Sequence, residues 1–231
     1  MKNKNQKGGN KIMAWFIVGF LVLGTAGTIV AGISSSSSNP STSSSGFVTT
    51  MVPSVTAADW SRGNENAKVS LVEYGDFQCP ACGAYEPVIE QLFANYSSTV
   101  QFVFRNFPLY QVHQDAGIAA QAAEAAGLQG KYWPMHDLLY SKQSDWSVAD
   151  PSIVVKQYFD GYAQSLGLNV GKFDTDINSA VVTNKIQADV ATGNAGQIDH
   201  TPTFFINLKQ IPNPQGYDDF KATIDKALSG S

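Results

Sequence analysis

The 231-residue sequence predicts an α/β domain in which a block of helices separates a β-α-β half from a β-β-α half. Three observations predict this class. Segments 69–74 and 100–104 have the composition and alternation of strands and flank a helical segment. The stretch 115–189 contains no convincing strand. A strand at 203–206 and a last helix at 217–228 then follow.

The first half begins with the strand 69–74, whose residues alternate and are β-prone types. Residues 82–96 then place apolar side chains at helical spacing, which predicts a helix. Segment 100–104 (VQFVF) alternates again as a strand, and the residues 105–108 (RNFP) end it. Together these three elements make a β-α-β unit.

The middle of the chain, about 113–195, is predicted to be a helical insertion. Four helices are expected in it, the third with Asp150 as its N-cap: 116–126, 132–141, 151–166 and 173–191. The second half then consists of the strand 203–206, a partner strand around residues 210–211, and the helix 217–228. No internal repeat occurs.

The N-terminus differs in composition from the rest of the chain. Four lysines lie within residues 1–11, and residues 12–33 contain no charge, a length that spans about 30 Å as a helix. A cleaved signal peptide is the competing interpretation, but the apolar stretch is long for one and no clear cleavage site follows. We predict a cytoplasmic stub at 1–11 and a single-pass signal anchor in the cell membrane at 12–33.

Residues 34–58 begin with a nearly continuous run of serine, which predicts a flexible linker. The domain is therefore expected at 59–231, outside the cytoplasm. Without the four N-terminal lysines, 11 basic residues stand against 19 acidic ones, a net charge of −8. Such an acidic balance argues against a nucleic-acid partner.

The only two cysteines, Cys79 and Cys82, lie at the junction between the first predicted strand and the helix that follows it. Unpaired backbone N–H groups and the helix dipole favour an anion at a helix start. Cys79 is therefore expected to be the nucleophile, since thiols in such settings have pKa values of about 3.5–7.5. Cys82, one turn further along, is its resolving partner. The pair predicts a redox-active disulfide.

Two other interpretations of the cysteine pair are less favoured. A zinc site needs further ligands, and the three histidines, His113, His136 and His200, lack the paired spacing of a zinc motif. A purely structural disulfide across so short a loop would remove little entropy from the unfolded chain. No metal and no cofactor are expected, and the histidines are assigned no catalytic role.

Four segments resemble the DsbA-like family of thioredoxin-fold thiol-disulfide oxidoreductases. They are 73–82 (EYGDFQCPAC), 121–127 (QAAEAAG), 129–137 (QGKYWPMHD) and 201–207 (TPTFFIN), and the likeness covers about residues 59–228. The resemblance implies a thioredoxin fold with the helical insertion between its two halves.

The resemblance also implies roles for three more residues. An acid at the position of Glu73 lies buried beneath the cysteines, where it could accept the proton of Cys82 through water, its pKa raised by desolvation. A solvated strand end or a salt bridge is the alternative for Glu73. The Thr201–Pro202 bond is expected to be cis and to face the cysteines, with the backbone of Thr201 binding an extended substrate. Asp76 is expected to serve loop geometry.

The predicted function is that of an extracytoplasmic oxidoreductase that introduces or exchanges disulfides in unfolded or reduced exported polypeptides. The resemblance suggests a quinone-linked reoxidase in the membrane as its redox partner. Pro80 and Ala81 replace the histidine of the strongest oxidants, so a milder oxidant is expected. Two alternatives remain open: a membrane-tethered reductase or isomerase, and a peptide-binding chaperone.

Overall fold

Five strands form one mixed sheet in the order β1-β3-β2-β4-β5 in the computed structural model, which describes residues 51–230. β2 runs parallel to β3, with Val69 opposite Val100, and antiparallel to β4, with Leu71 opposite Ile206. The strands are β1 (Trp60–Gly63), β2 (Val69–Gly75), β3 (Val100–Asn106), β4 (Thr203–Ile206) and β5 (Lys209–Gln210).

The helices follow the predicted order. They are α1 (Pro80–Tyr96), α2 (Ala116–Gly127), α3 (Tyr132–Ser141), α4 (Gln143–Trp146), a π-helical segment (Val155–Phe159), α5 (Asp160–Ser165), α6 (Val170–Asp176), α7 (Ala180–Ala195) and α8 (Tyr217–Ser229). The α/β class and the helical insertion are therefore confirmed, and α3 has the predicted bounds.

Both faces of the sheet are covered. On one face, Leu71 packs in a core with Ile89 of α1 and Phe220 of α8. On the other face, Val72, Tyr74 and Phe205 form a second core. β2 is buried on both sides, and every one of its residues except Ser70 is buried, Glu73 included.

Two of the predicted helices differ from the structure. The segment 151–166 begins with turns, where Asp150 Oδ1 accepts a hydrogen bond from Ser152 N at 2.8 Å, and becomes helical only at Val154. The segment 173–191 is divided between α6 and α7 because the Ser179 side chain accepts a hydrogen bond from Val182 N and caps a new helix. The sequence analysis also missed the short edge strand β1.

Residues 51–58, assigned to the linker from sequence, lie against the sheet in the structure. Val52 is buried, and Arg105 donates hydrogen bonds to the carbonyl oxygens of Pro53 and Ser54. The same guanidinium pairs with Asp59, with Nε 2.7 Å from Oδ1. Arg105 thus holds the last part of the predicted linker to β3.

Membrane crossing cannot be assigned to any helix within residues 51–230, since each is too short or too polar for it. The predicted signal anchor, 12–33, and the stub before it lie outside the described residues.

Candidate active site

The cysteine pair lies at the start of α1, as the sequence predicts. Cys79 is the N-cap residue, with an extended backbone, and Pro80 occupies the first helical turn, where its missing N–H costs nothing. The backbone N–H of Cys79 donates to the Asp76 carbonyl oxygen at 3.0 Å, which closes the turn from β2 into the helix. Both cysteines are free thiols, and both are buried, Cys82 more completely.

The two thiols have opposite acidities. The pKa of Cys79 is lowered to about 5, first by the hydrogen bond from the Cys82 thiol, although burial opposes the shift. Hydrogen bonds from the Thr201 side chain and from the backbone N–H groups of Cys82 and Ala81 contribute in the same direction. Burial raises the pKa of Cys82 well above its ordinary value, as do the hydrogen bond to Cys79 and the charge of Glu73. Cys79 is therefore a thiolate at neutral pH and Cys82 is a thiol.

The Thr201–Pro202 bond is cis and lies beside Cys79, as expected. Cys79 Sγ is 3.4 Å from the Thr201 carbonyl oxygen, which accepts a hydrogen bond from the thiol form. The Thr201 hydroxyl is buried and has no other hydrogen-bond partner in the described part of the chain, so it can donate to the thiolate form. Thr201 therefore offers a hydrogen-bond partner to each protonation state of Cys79: its carbonyl oxygen to the thiol and its hydroxyl to the thiolate.

Glu73 lies in the middle of β2, opposite Phe104 on one side and Phe204 on the other. It is only 6% exposed, which excludes the solvated strand end. Burial raises its pKa to about 8, against the opposing charge of Arg62. No hydrogen bond within residues 51–230 contributes to this shift. The expected rise in the pKa of Glu73 is thus present, and the charge of ionised Glu73 raises the pKa of Cys82.

Asp76 has the loop role expected of it. Its Oδ1 accepts from Gln78 N at 2.8 Å, and its Oδ2 accepts from Leu109 N at 2.9 Å. His113 Nδ1 lies 2.7 Å from the same Oδ2, so this histidine fixes the loop after β3. His200 pairs with Asp199 at the surface.

Gln143 is a contact of the active-site loop that the sequence analysis missed. Its Nε2 donates to the carbonyl oxygens of Phe77 and Cys79, at 2.7 and 2.9 Å. A Cβ atom on Gly83 would lie 2.7 Å from Gln143 Oε1, so glycine allows this approach. Because Gln143 comes from the insertion, 64 residues away from Cys79, no local pattern could have identified it.

Glu86 and His136 are two further buried titratable groups near the pair. Glu86 is on α1, four positions after Cys82, and burial raises its pKa to about 9. His136 Nδ1 of α3 lies 3.8 Å from Glu86 Oε1 and 3.0 Å from Asp137 Oδ1. Within residues 51–230, these three side chains form the one cluster with metal-ligand spacing, and it contains neither cysteine.

Comparison with curated proteins shows a relationship to part of longer chains. Two of the most similar are Na(+)/H(+) antiporters, NhaA 1 of Salinispora arenicola and NhaA 3 of Salinispora tropica. Each is 36% identical over 188 residues, which is 81% of this chain and 28% of the relative. The chain thus spans less than a third of these relatives, whose names describe the whole proteins.

Solved structures and a family model identify the fold. BdbD from Bacillus subtilis has a TM-score of 0.69 at 24% identity, covering 79% of this chain and 98% of that one. Alpha-DsbA1 from Wolbachia pipientis has a TM-score of 0.67 at 21% identity, covering 76% and 94%. The family model described as thioredoxin matches residues 56–226. The chain therefore belongs to the thioredoxin family.

Proposed function

We propose that the protein is a thiol-disulfide oxidoreductase that passes its Cys79–Cys82 disulfide to reduced exported polypeptides. The observation that carries this proposal is the opposite acidity of the two thiols at the start of α1. A low pKa at Cys79 makes it a good leaving group from a mixed disulfide. It also stabilises the reduced enzyme, which favours an oxidant over a reductase.

The reaction proceeds by two thiol-disulfide exchanges. A substrate thiolate attacks Cys79 Sγ, the Cys79–Cys82 bond breaks, and Cys82 leaves as a thiolate that takes a proton from Glu73. The second substrate thiolate then attacks the substrate sulfur of the mixed disulfide; the bond between that sulfur and Cys79 breaks, and Cys79 leaves as a thiolate. Two electrons pass from the substrate to the enzyme, and the substrate gains a disulfide.

Thr201 and Pro202 form the substrate-binding edge in this proposal. An extended polypeptide that pairs with the backbone of Thr201 would be held by main-chain hydrogen bonds, which accept many sequences. A quinone-linked reoxidase in the membrane restores the disulfide by accepting the two electrons. No further cofactor, metal or nucleic acid takes part.

A direct test uses the oxidised full-length chain in detergent and a reduced, unfolded model protein. The parent should introduce disulfides, and both Cys79→Ser and Cys82→Ser should abolish this activity. Equilibration with glutathione should give a potential less negative than the value of about −270 mV typical of thioredoxin. A more negative potential would favour the reductase. Suppression of aggregation by a chain lacking both cysteines, without oxidation by the parent, would favour the chaperone.

We also propose that residues 12–33 anchor the protein in the cell membrane, with the N-terminus cytoplasmic and the catalytic domain outside. The support for this proposal is the uncharged stretch preceded by four lysines. The protein should remain in membranes washed at alkaline pH, and protease added outside the cell should digest the domain. Release of a shorter chain into the medium would instead indicate cleavage.

A further inference from the structure

His136 has one ring nitrogen paired and the other unpaired. The residue is 1% exposed, and its Nδ1 lies 3.0 Å from Asp137 Oδ1. Its Nε2 is buried without a hydrogen-bond partner among residues 51–230. A second buried nitrogen nearby, Arg62 Nε, is unpaired in the same way. Buried polar atoms of this kind are normally satisfied by protein or by ordered water.

Both residues line a small cavity together with Glu73. The cavity has a volume of about 10 Å³, and its remaining walls are largely apolar. This volume is about that of a single water molecule, and a buried water is stable where two to four polar groups meet it. Glu73, Arg62 and His136 supply three such groups. The geometry therefore suits one water in contact with the Glu73 carboxyl group and His136 Nε2.

The other side of the His136 ring leads toward solvent. The Asp137 side chain is 46% exposed, and it lines a surface groove together with Glu86 and Tyr140. A neutral imidazole has one donor nitrogen and one acceptor nitrogen, so it can take a proton on one side and release another on the opposite side. His136 is thus the group that separates the cavity at Glu73 from the groove at Asp137.

We propose that His136 relays protons between the buried Glu73 and solvent, through one water in the cavity and the exposed carboxylate of Asp137. The proposal rests on the proposed oxidoreductase function and assigns the route that its proton takes.

The proton balance closes over one catalytic cycle. When the enzyme is reoxidised, the Cys82 proton passes to Glu73, then through the water to His136 Nε2, while Nδ1 gives its proton to Asp137 and solvent. When a substrate is oxidised, Cys82 takes a proton back from Glu73. The same groups then carry one proton inward, and the imidazole returns to its first tautomer.

The surroundings of His136 keep the ring neutral. Burial lowers the pKa of His136, and the charge of Arg62 acts in the same direction. Opposing these are the hydrogen bond and charge of Asp137 on α3 and the charge of Glu90 on α1. The Glu86 carboxyl group, 3.8 Å from Nδ1, is held protonated at pH 7 by its raised pKa. The phenols of Tyr132 and Tyr140 pack against the ring. A neutral ring at pH 7 is the form that a relay requires.

The test measures how fast Cys82 resolves a mixed disulfide formed between Cys79 and a small aromatic thiol, in the full-length chain. His136→Gln should slow this step about tenfold at pH 7, within the range of general acid–base effects. The solvent deuterium isotope effect should also change, which a purely structural role would not cause. Alkylation of Cys79 by iodoacetamide should keep the parent rate in the variant.

Asp137→Asn is the second variant, because it leaves His136 in place and alters an exposed side chain. It should slow resolution of the mixed disulfide about threefold by removing a proton acceptor. If His136→Gln does not fold, Asp137→Asn alone tests the relay. Parent rates and isotope effects in every folded variant would overturn the relay while leaving the oxidoreductase intact. If the parent itself cannot resolve the mixed disulfide, the proposed function fails instead.

Discussion

Two groups of buried carboxylates lie in this domain, and they differ in their hydrogen bonds. Glu124 accepts from Trp60 Nε1 at 2.8 Å and from Asn106 Nδ2 at 2.7 Å. Asp189 accepts from Lys185 Nζ at 2.6 Å and from the backbone N–H of Asn106 at 3.1 Å. These hydrogen bonds connect α2 and α7 with β1 and β3, and every carboxylate oxygen of the two acids accepts at least one of them.

Glu73 and Glu86 are buried to a similar extent but lack such partners. Within residues 51–230, no hydrogen bond contributes to the pKa of Glu73, and Glu86 Oε1 is buried and unpaired. Burial raises the pKa in both groups: to about 8 for Glu73, about 9 for Glu86 and about 7 for Glu124. Hydrogen-bond donors, more than burial, therefore distinguish a buried acid that stabilises the fold from one that is available to exchange a proton.

The largest expected effect comes from breaking the hydrogen-bonded group. Asp189→Ala should lower the free energy of unfolding by about 3–4 kcal/mol, because it leaves Lys185 and the N–H of Asn106 without their acceptor. Urea unfolding of the disulfide form measures this loss. The folded variant should retain the parent rate of thiol-disulfide exchange.

Asp225→Ala is the matched control, since Asp225 pairs with Lys221 at the same four-residue spacing but on the surface. Its loss should lower the free energy of unfolding far less than the loss of Asp189, because water screens an exposed pair. Equal costs for the two variants would show that the hydrogen bonds of Asp189 contribute no more than those of an exposed pair.

Glu73→Gln tests the group without partners. Since its pKa rises from 4.5 to about 8 on folding, the native state binds the extra proton between these values. Glu73 therefore favours folding fully only below pH 4.5, and this stabilisation is lost as pH rises through about 8. Glutamine does not titrate, so the stability of the variant relative to the parent should increase by about 2–3 kcal/mol from pH 6 to pH 8.

The measurement compares urea unfolding of both chains in the disulfide form, where neither thiol titrates. Resolution of the mixed disulfide by Cys82 should also be slower in Glu73→Gln. A stability difference that does not change with pH would mean that Glu73 is ionised in the folded protein, and the contrast with Glu124 would then disappear.

The sequence was sufficient for features that have local patterns. The strand-to-helix junction at Cys79, the order of the elements and the motif at Thr201–Pro202 all follow from neighbouring residues or from resemblance. The burial of Glu73 was also expected, but from the family resemblance of segment 73–82 and not from the pattern of the strand itself.

Features that depend on contacts between residues far apart in the sequence could not be predicted. Gln143, Glu86 and His136 meet near the cysteines only because the insertion packs on α1, and nothing in their own neighbourhoods indicates this. Likewise, the split between α6 and α7 depends on one cap at Ser179, which competes with a nearly uniform helical pattern. The number of hydrogen bonds at a buried acid is a tertiary property of the same kind.

The smallest expected effect concerns the Cys79 thiolate, which differs from Glu73 in having a hydrogen-bond donor, the Thr201 hydroxyl. Thr201→Val removes the hydroxyl while keeping the shape of the side chain. A hydrogen bond to a charged group contributes about 1.5 kcal/mol, so the pKa of Cys79 should rise above its value of about 5 by about one unit. Thiolate absorbance during a pH titration measures this change. Because the reduced form is then less stabilised, the reduction potential should become more negative by about 30 mV. An unchanged pKa in Thr201→Val would assign the acidity of Cys79 to the Cys82 thiol and the backbone N–H groups of α1 alone.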